Sequence, residues 1–160
     1  MSVYVDVQRA TDEEGIPDDA FVAAWVARAV EAGRNGGICE VSVRIVDADE
    51  IRALNRDYRD KNQPTNVLSF PAGDIVGLPG DEPAPLGDIV VCASVVRDES
   101  VAQRKATADH WAHMLVHGTL HLLGYDHQSD AEADAMEALE TTILGAHGVD
   151  DPYRADTNSC

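Results

Sequence analysis

Three histidines with a fixed spacing stand out in the second half of the chain. His117, His121 and His127 form the pattern H-x-x-x-H-x-x-G-x-x-H, with Gly124 after the second histidine. Side chains four residues apart lie on one face of a helix, one turn above the other. A glycine at that point is typical of a helix end, beyond which a third histidine can fold back. Three neutral imidazoles that converge on one point form a zinc site with an open fourth position, as in catalytic zinc sites.

This pattern resembles the long zinc signature of the metzincin proteases, with one difference. Those enzymes have glutamate directly after the first histidine, where it acts as the general base. Here that position holds Gly118, so the sequence argues against ordinary zinc proteolysis. Gly118 also has a structural interpretation, since a residue without a side chain lets a helix approach its neighbour closely.

The choice of ligands among the six histidines rests on distances along a helix. His113 shares a face with His117 and His121, but eight residues separate it from His121, or about 12 Å along the helix axis. Nitrogens that bind one zinc ion lie about 3 to 3.5 Å apart, so one straight helix supplies two ligands and the third comes from outside it. We expect His117, His121 and His127 to bind one Zn²⁺ ion, with water or substrate as the fourth ligand. The other histidines are expected to be ordinary core or surface residues: His110, His113 and His147.

Composition limits the classes of function. The chain has 160 residues, about the size of one domain, and 44% of them are hydrophobic, which is enough for a core. Its formal charge of −17 argues against general affinity for nucleic acids or anionic membranes. No apolar run approaches the roughly 20 residues that span a bilayer, and no secretory signal is recognisable at the N-terminus. The three cysteines Cys39, Cys92 and Cys160 are odd in number and far apart, which favours buried thiols and a cytoplasmic protein.

The basic residues are concentrated in one segment. Four of the twelve fall within ten positions, namely Arg52, Arg56, Arg59 and Lys61. A helix capped by Asp47 is expected here, with Ile51, Leu54 and Tyr58 on its inner side. The four cations indicate either a locally basic surface on an acidic protein or, more simply, a solvated helix face.

Apolar periodicity and breaking residues predict the element order β-α-β-α-β-β-α-α-α. We expect an α+β fold, a mixed α/β sandwich in which helices pack on a sheet of about four strands. The metal-binding helix, from near Thr107 to Leu123, is expected to be central and to end at Gly124. Residues 1–160 are expected to form a single domain, with an irregular tail after about 148 and one long loop at 72–87.

Four segments occur in an order that resembles a known family. They are L-N-R-D-Y-R at 54–59, P-T-N-V-L-S-F-P at 64–71, L-G-D-I at 86–89 and H-G-T-L-H-L-L-G-Y-D-H at 117–127. Together they closely resemble the YbeY family of bacterial endoribonucleases and ribosomal RNA maturation factors. The resemblance implies a metal-dependent endoribonuclease that cuts single-stranded RNA, matures the 3′ end of small-subunit ribosomal RNA and takes part in ribosome quality control. The implied partners are ribosomal RNA and the small ribosomal subunit.

The functional residues of that family map onto positions of this chain. Its metal ligands correspond to His117, His121 and His127, and its functionally important arginine corresponds to Arg59. RNA cleavage develops negative charge on phosphate oxygens, and a planar guanidinium binds such oxygens bidentately. The alternative for Arg59 is a surface ion pair with a neighbouring aspartate. Many relatives have aspartate where this chain has Asn66, so we assign Asn66 no role.

Two other functions stay open at this point. The first is a non-catalytic ribosome-assembly factor with a structural metal. The strong acidity favours it, because an acidic protein must obtain its RNA affinity from one small patch or from a protein partner that delivers the RNA. A metallohydrolase of another class, such as a peptidase, needs a general base from elsewhere in the chain. The leading hypothesis is a zinc-dependent, single-strand-specific endoribonuclease.

Overall fold

In the part of the chain that the computed structural model describes, four strands and five helices follow one another in the predicted order. The structure describes residues 2–33, 37–72, 84–126 and 128–153. The strands are β1 (Ser2–Ala10), β2 (Ile38–Val46), β3 (Val67–Pro71) and β4 (Ala84–Cys92). The helices are α1 (Asp19–Gly33), α2 (Ala48–Arg59), α3 (Ala93–Ala102), α4 (Thr107–Leu122) and α5 (Asp130–Gly145). The prediction of a mixed α/β fold around a four-stranded sheet is confirmed.

The strands form one mixed sheet in the order β1-β2-β4-β3. β2 pairs in parallel with both β1 and β4, whereas β3 runs antiparallel to β4 and forms one edge of the sheet. Just outside the paired residues, Cys92 N–H donates to the Asn66 carbonyl and Ala72 N–H donates to the Leu86 carbonyl. Backbone groups of an antiparallel strand alternate in direction. Asn66 and Ala72 therefore direct these groups at β4. Ser69 lies three residues from each, so its backbone N–H and C=O point away from β4, towards the edge of the sheet.

The larger part of the core lies between one face of the sheet and the helices α1, α4 and α5. α4 contacts α1, α3, α5, β3 and β4, so the prediction that it is central is confirmed. Its apolar side chains Trp111, Leu115 and Leu120 are at most 1% exposed. A smaller apolar cluster joins Ile51 of α2 to Leu68 and Val90. It lies on the opposite face of the sheet, because adjacent residues of a strand point to opposite faces.

The C-terminal end of α4 is built on Gly124, as predicted. Gly124 has a φ angle of +100°, which glycine adopts without a steric penalty. Tyr125 N–H donates to the Leu120 carbonyl and Gly124 N–H to the His121 carbonyl, each at 3.1 Å. These two bonds form a Schellman motif. The chain therefore turns sharply at Gly124, just beyond the last turn of α4. His121 lies in that last turn.

The helix α2 begins at the predicted N-cap residue but differs from its prediction in its last turn. Asp47 occupies the N-cap position but makes no capping hydrogen bond, and its carboxylate accepts from the Thr11 hydroxyl instead. Ile51 is buried as expected, but Tyr58 is 67% exposed, so the prediction that it faces inward is wrong. The last turn of α2 lies beside the edge strand, where the Tyr58 ring makes an edge-to-face contact with Phe70 at 5.3 Å.

The sequence also predicts buried cysteines and one long loop. Cys39 and Cys92 are buried thiols, as predicted. Cys160 and most of the 72–87 segment lie outside the described residues. Within the described ranges, no helix combines the length and the apolar character that crossing a bilayer requires.

Candidate metal centre and nucleic-acid cleft

Two of the predicted metal ligands, His117 and His121, meet near the C-terminal end of α4. Their Nε2 atoms are 3.1 Å apart, as the one-turn spacing of the two residues requires. This separation fits two ligands of one zinc ion, whose nitrogens lie about 3 to 3.5 Å apart. His127, the third predicted ligand, lies outside the described residues, and its role stays a prediction.

The two histidines open into a cleft of about 660 Å³. One wall consists of α4 and the turn after Gly124, including Asp126. The facing wall consists of β3, its preceding loop and the end of α2, including Arg59. Side chains that are far apart in the sequence therefore share one solvent-accessible space.

A buried carboxylate lies behind His117. Glu140 of α5 is 0% exposed, and its Oε1 lies 3.1 Å from Nδ1 of His117. The Tyr153 hydroxyl donates to both oxygens of the same carboxylate, at 2.7 and 2.9 Å. A carboxylate in this position orients an imidazole and favours the tautomer with a proton on Nδ1. Nε2 of His117, on the side of His121, is then the atom available to a metal.

Electrostatics keep this carboxylate charged. Burial alone raises the pKa of Glu140, but hydrogen bonds from His113, His117 and Tyr153 outweigh burial and lower the pKa to about 2. Burial and the contact with Glu140 raise the pKa of the Tyr153 hydroxyl. Glu140 is therefore an acceptor and Tyr153 a donor throughout the physiological pH range.

A second group of side chains could also hold a metal ion. In His113, His117 and Glu140, one ligand atom from each residue lies within 4.8 Å of the others. This group shares His117 with the predicted site but is buried, because His113 is 8% exposed. Nε2 of His113 lies 3.2 Å from the Tyr153 hydroxyl, and the Glu140 oxygens already accept hydrogen bonds. The cleft-facing pair is the better candidate for chemistry, because a substrate can reach it.

Arg59 contacts the free edge of β3. Its Nη2 donates to the Ser69 carbonyl at 2.9 Å. Asp57 pairs with Arg56 at 3.0 Å, and Arg59 forms no ion pair with any residue that the structure describes. A guanidinium has five N–H donors, and the bond to Ser69 uses one of them. The contact therefore positions Arg59 in the cleft, where other donors can face a ligand.

Gly118 packs against the sheet and not against the metal ligands. A Cβ atom at this position would lie 3.0 Å from Ile89 Cγ2, 3.1 Å from Val67 Cγ2 and 3.3 Å from Ser69 Oγ. The Ser69 hydroxyl donates to the Gly118 carbonyl at 2.8 Å. Close packing against the sheet thus explains why a glycine occupies position 118. A glutamate here would have to enter a packed interface.

Gly118→Ala is expected to lower the free energy of unfolding by about 1 kcal/mol. Alanine favours a helix by roughly 1 kcal/mol over glycine, but overpacking a tight site costs about 1–3 kcal/mol. Gly118→Glu is expected to prevent folding and to create no peptidase. Urea denaturation measures the effect, with Gly145→Ala as the matched control, because a Cβ at Gly145 meets no atom within 4 Å. Equal stability changes in the two alanine variants would contradict the packing role of Gly118.

Asn66 makes contacts that suit an amide. Its Nδ2 donates to the two oxygens of Glu99 at 3.1 and 3.3 Å, and its Oδ1 accepts from Val67 N–H at 2.7 Å. Glu99 also contacts Nε2 of the buried His110 at 2.8 Å. An aspartate at position 66 would place a second carboxylate against Glu99, so the asparagine matches its surroundings.

The chain is similar to a known protein family over most of its length. The family model described as Endoribonuclease YbeY matches residues 7–148. A protein named Endoribonuclease YbeY from Halorhodospira halophila is 58% identical over 138 residues, which cover 86% of this chain and 88% of that protein. One of the same name from Alkalilimnicola ehrlichii is 54% identical over 154 residues, which cover 96% of this chain and 89% of that protein.

A solved structure shares the fold. The solution structure of TM1509 from Thermotoga maritima has a TM-score of 0.53 and 23% sequence identity, and the match covers 88% of this chain and 91% of that one. At this identity the likeness concerns the fold alone. The family model, however, matches most of the chain, and the two relatives are 58% and 54% identical to it. The chain therefore belongs to the YbeY endoribonuclease family.

Proposed function

We propose that this protein is a zinc-dependent endoribonuclease that cleaves single-stranded RNA. In the cell it acts in the cytoplasm, in maturation of the 3′ end of small-subunit ribosomal RNA and in ribosome quality control. Ribosomal RNA and the small subunit are its partners. The observation that carries the proposal is the pair of Nε2 atoms 3.1 Å apart in a cleft that also contains Arg59. The reaction class is supported by relatives that are named endoribonucleases.

In this proposal His117, His121 and His127 hold one ion, and the fourth position is open to water or substrate. A zinc ion held by these residues would supply Lewis acidity at a phosphate oxygen and would lower the pKa of a bound water towards about 7. An accessible cleft beside the histidines favours this catalytic role, because structural zinc sites have four protein ligands and are closed.

Each neighbouring side chain then has a defined task. Arg59 stabilises the negative charge that develops on the phosphate oxygens during cleavage. The Ser69 carbonyl holds the Arg59 guanidinium at the edge of β3. Glu140 holds Nδ1 of His117 and leaves Nε2 directed at the cleft. A peptidase has less support, because Gly118, where its general base would stand, packs against the sheet.

Cleavage assays with an arginine series test the proposal. Single-stranded and duplex RNA of one sequence are incubated with zinc-loaded and chelator-treated protein. We expect cleavage of the single strand only, and only with metal. Arg59→Glu should lower kcat by about 100-fold or more, the typical effect of removing a donor to a developing oxyanion. Arg59→Lys should lose less, because it keeps the charge but not the planar fork.

The control variant and the contrary outcomes are well defined. Arg104→Glu makes the same change of charge at an exposed arginine outside the cleft, and its cleavage should equal that of the wild type. Cleavage that survives both chelation and Arg59→Glu would contradict the proposal and point to a contaminating nuclease. RNA binding without any cleavage by the zinc-loaded protein would favour the assembly-factor alternative.

A further inference from the structure

An exposed aromatic side chain directly precedes Arg59 on α2, outside the residues that line the cleft. This residue, Tyr58, is 67% exposed. Its ring contacts Phe70 edge-to-face, with centroids 5.3 Å apart and planes at 71°. Phe70 is itself partly buried in the smaller apolar cluster. Tyr58 is therefore held on one side by a packed residue, while most of its surface faces solvent.

The edge strand β3 anchors Tyr58 and Arg59 together. Consecutive residues of α2 contact consecutive residues of β3, because Tyr58 meets Phe70 and Arg59 meets the Ser69 carbonyl. The same Ser69 donates its hydroxyl to the Gly118 carbonyl, next to His117 on α4. β3 thus connects the aromatic ring, through Phe70 on one face of the sheet, with the arginine at its edge and with the histidine pair, through Ser69 on the other face.

The local charge matches a polyanion. Residues 52–61 contain four cations and two acids, so their formal charge is +2. The remaining residues contain eight cations and 27 acids, or −19 in total, which matches the overall charge of −17. An RNA strand is repelled by most of this protein and attracted at this segment. A single exposed tyrosine on a surface is common and needs no explanation, but this one stands within the basic segment.

We propose that Tyr58 is a stacking platform for an RNA base, next to the nucleotide whose phosphate meets Arg59. This inference rests on the proposed function and adds to it the means by which single strands are selected. Bases in a duplex are stacked on each other, whereas a splayed base of a single strand can stack on an aromatic ring. Every base has a π-face, so the contact tolerates any sequence.

Binding measurements with abasic RNA test the platform. The probe is a fluorescent single-stranded oligoribonucleotide, intact or with one base removed at successive positions, and binding is followed by anisotropy with metal-free protein. Tyr58→Ala should bind intact RNA about tenfold more weakly, within the range of one lost stacking contact. At one position, removal of the base should weaken binding to the wild type about tenfold. The same removal should cause no further loss of affinity in Tyr58→Ala, because both changes remove the same contact. Tyr58→Phe, which keeps the ring, should retain most of the affinity.

The matched control is Tyr4→Ala, since Tyr4 is 59% exposed on β1 at the opposite edge of the sheet. Its RNA affinity should equal that of the wild type. The inference would be overturned if Tyr58→Ala and the wild type bound intact RNA equally. It would also be overturned if every abasic position weakened binding equally, or if Tyr58→Ala weakened the binding of duplex RNA as much as that of single-stranded RNA. Binding that depends on Tyr58 without cleavage by zinc-loaded wild type would support the platform and contradict the nuclease function. A wild type that binds no single-stranded RNA would overturn both.

Discussion

His121→Ala is expected to lower the zinc affinity of the protein by more than about 100-fold, because it removes a proposed ligand. Even the loss of a residue that only hydrogen-bonds a ligand lowers metal affinity roughly 10- to 100-fold. His121 supplies one of the two Nε2 atoms that lie 3.1 Å apart. Without it, His117 is the only described residue of the proposed ligand set. RNA cleavage should fall below detection as the metal is lost. Competition against a chelating indicator measures the affinity, and single-turnover assays measure the cleavage.

The matched variant His113→Gln separates the two arrangements that share His117. In the cleft site His113 is not a ligand, so this variant should keep its zinc affinity and most of its activity. Glutamine can also keep a hydrogen bond to the Tyr153 hydroxyl, which lies 3.2 Å from Nε2 of His113. The reverse ranking, with zinc lost in His113→Gln and kept in His121→Ala, would assign the metal to the buried group with Glu140.

Glu140→Leu is expected to have the second largest effect, on both metal affinity and stability. It removes the acceptor of Nδ1 of His117 and of the Tyr153 hydroxyl. Loss of such an outer partner lowers metal affinity by roughly 10- to 100-fold. A fully buried donor left without an acceptor costs about 1–3 kcal/mol of stability, and the loss should be smaller for Tyr153, which is 43% exposed. Chelator competition and urea denaturation measure the two effects.

Further variants distinguish orientation of His117 from general damage to the core. Glu140→Gln keeps one acceptor oxygen and should recover part of the zinc affinity. Nitrogen NMR of the imidazoles should show the Nδ1–H tautomer of His117 in the wild type and a mixture of tautomers in Glu140→Leu. Glu137→Leu, one turn earlier on α5, should change neither. A wild-type tautomer and wild-type zinc affinity in Glu140→Leu would show that Glu140 does not position His117.

These two predictions depend on the sequence to different degrees. The His117 and His121 pair follows from local spacing, because residues one turn apart on a helix meet whatever the rest of the chain does. The role of Glu140 has no such signal. α5 carries five acidic residues, namely Asp130, Glu132, Asp134, Glu137 and Glu140. Glu140 is the buried one among them, and it faces His117 only because α5 packs on α4.

Arg59 and Tyr58 illustrate the same distinction. The basic segment is visible in the sequence, and the family resemblance singles out Arg59. Periodicity alone, however, placed Tyr58 on the inner side of α2, since it follows the buried Ile51 at helical spacing. The position of the sheet edge decided otherwise, because the last turn of α2 lies beside β3, where the ring contacts Phe70 and stays exposed.

The sequence by itself determined the order of the elements, the central helix and its end at Gly124, because these depend on neighbours along the chain. It also predicts His127 as the third ligand and one domain over residues 1–160, and both stay predictions. Only the tertiary structure decided which side chains of α2, β3 and α5 meet the histidines of α4. Such meetings depend on how helices pack across a sheet, which local periodicity does not encode.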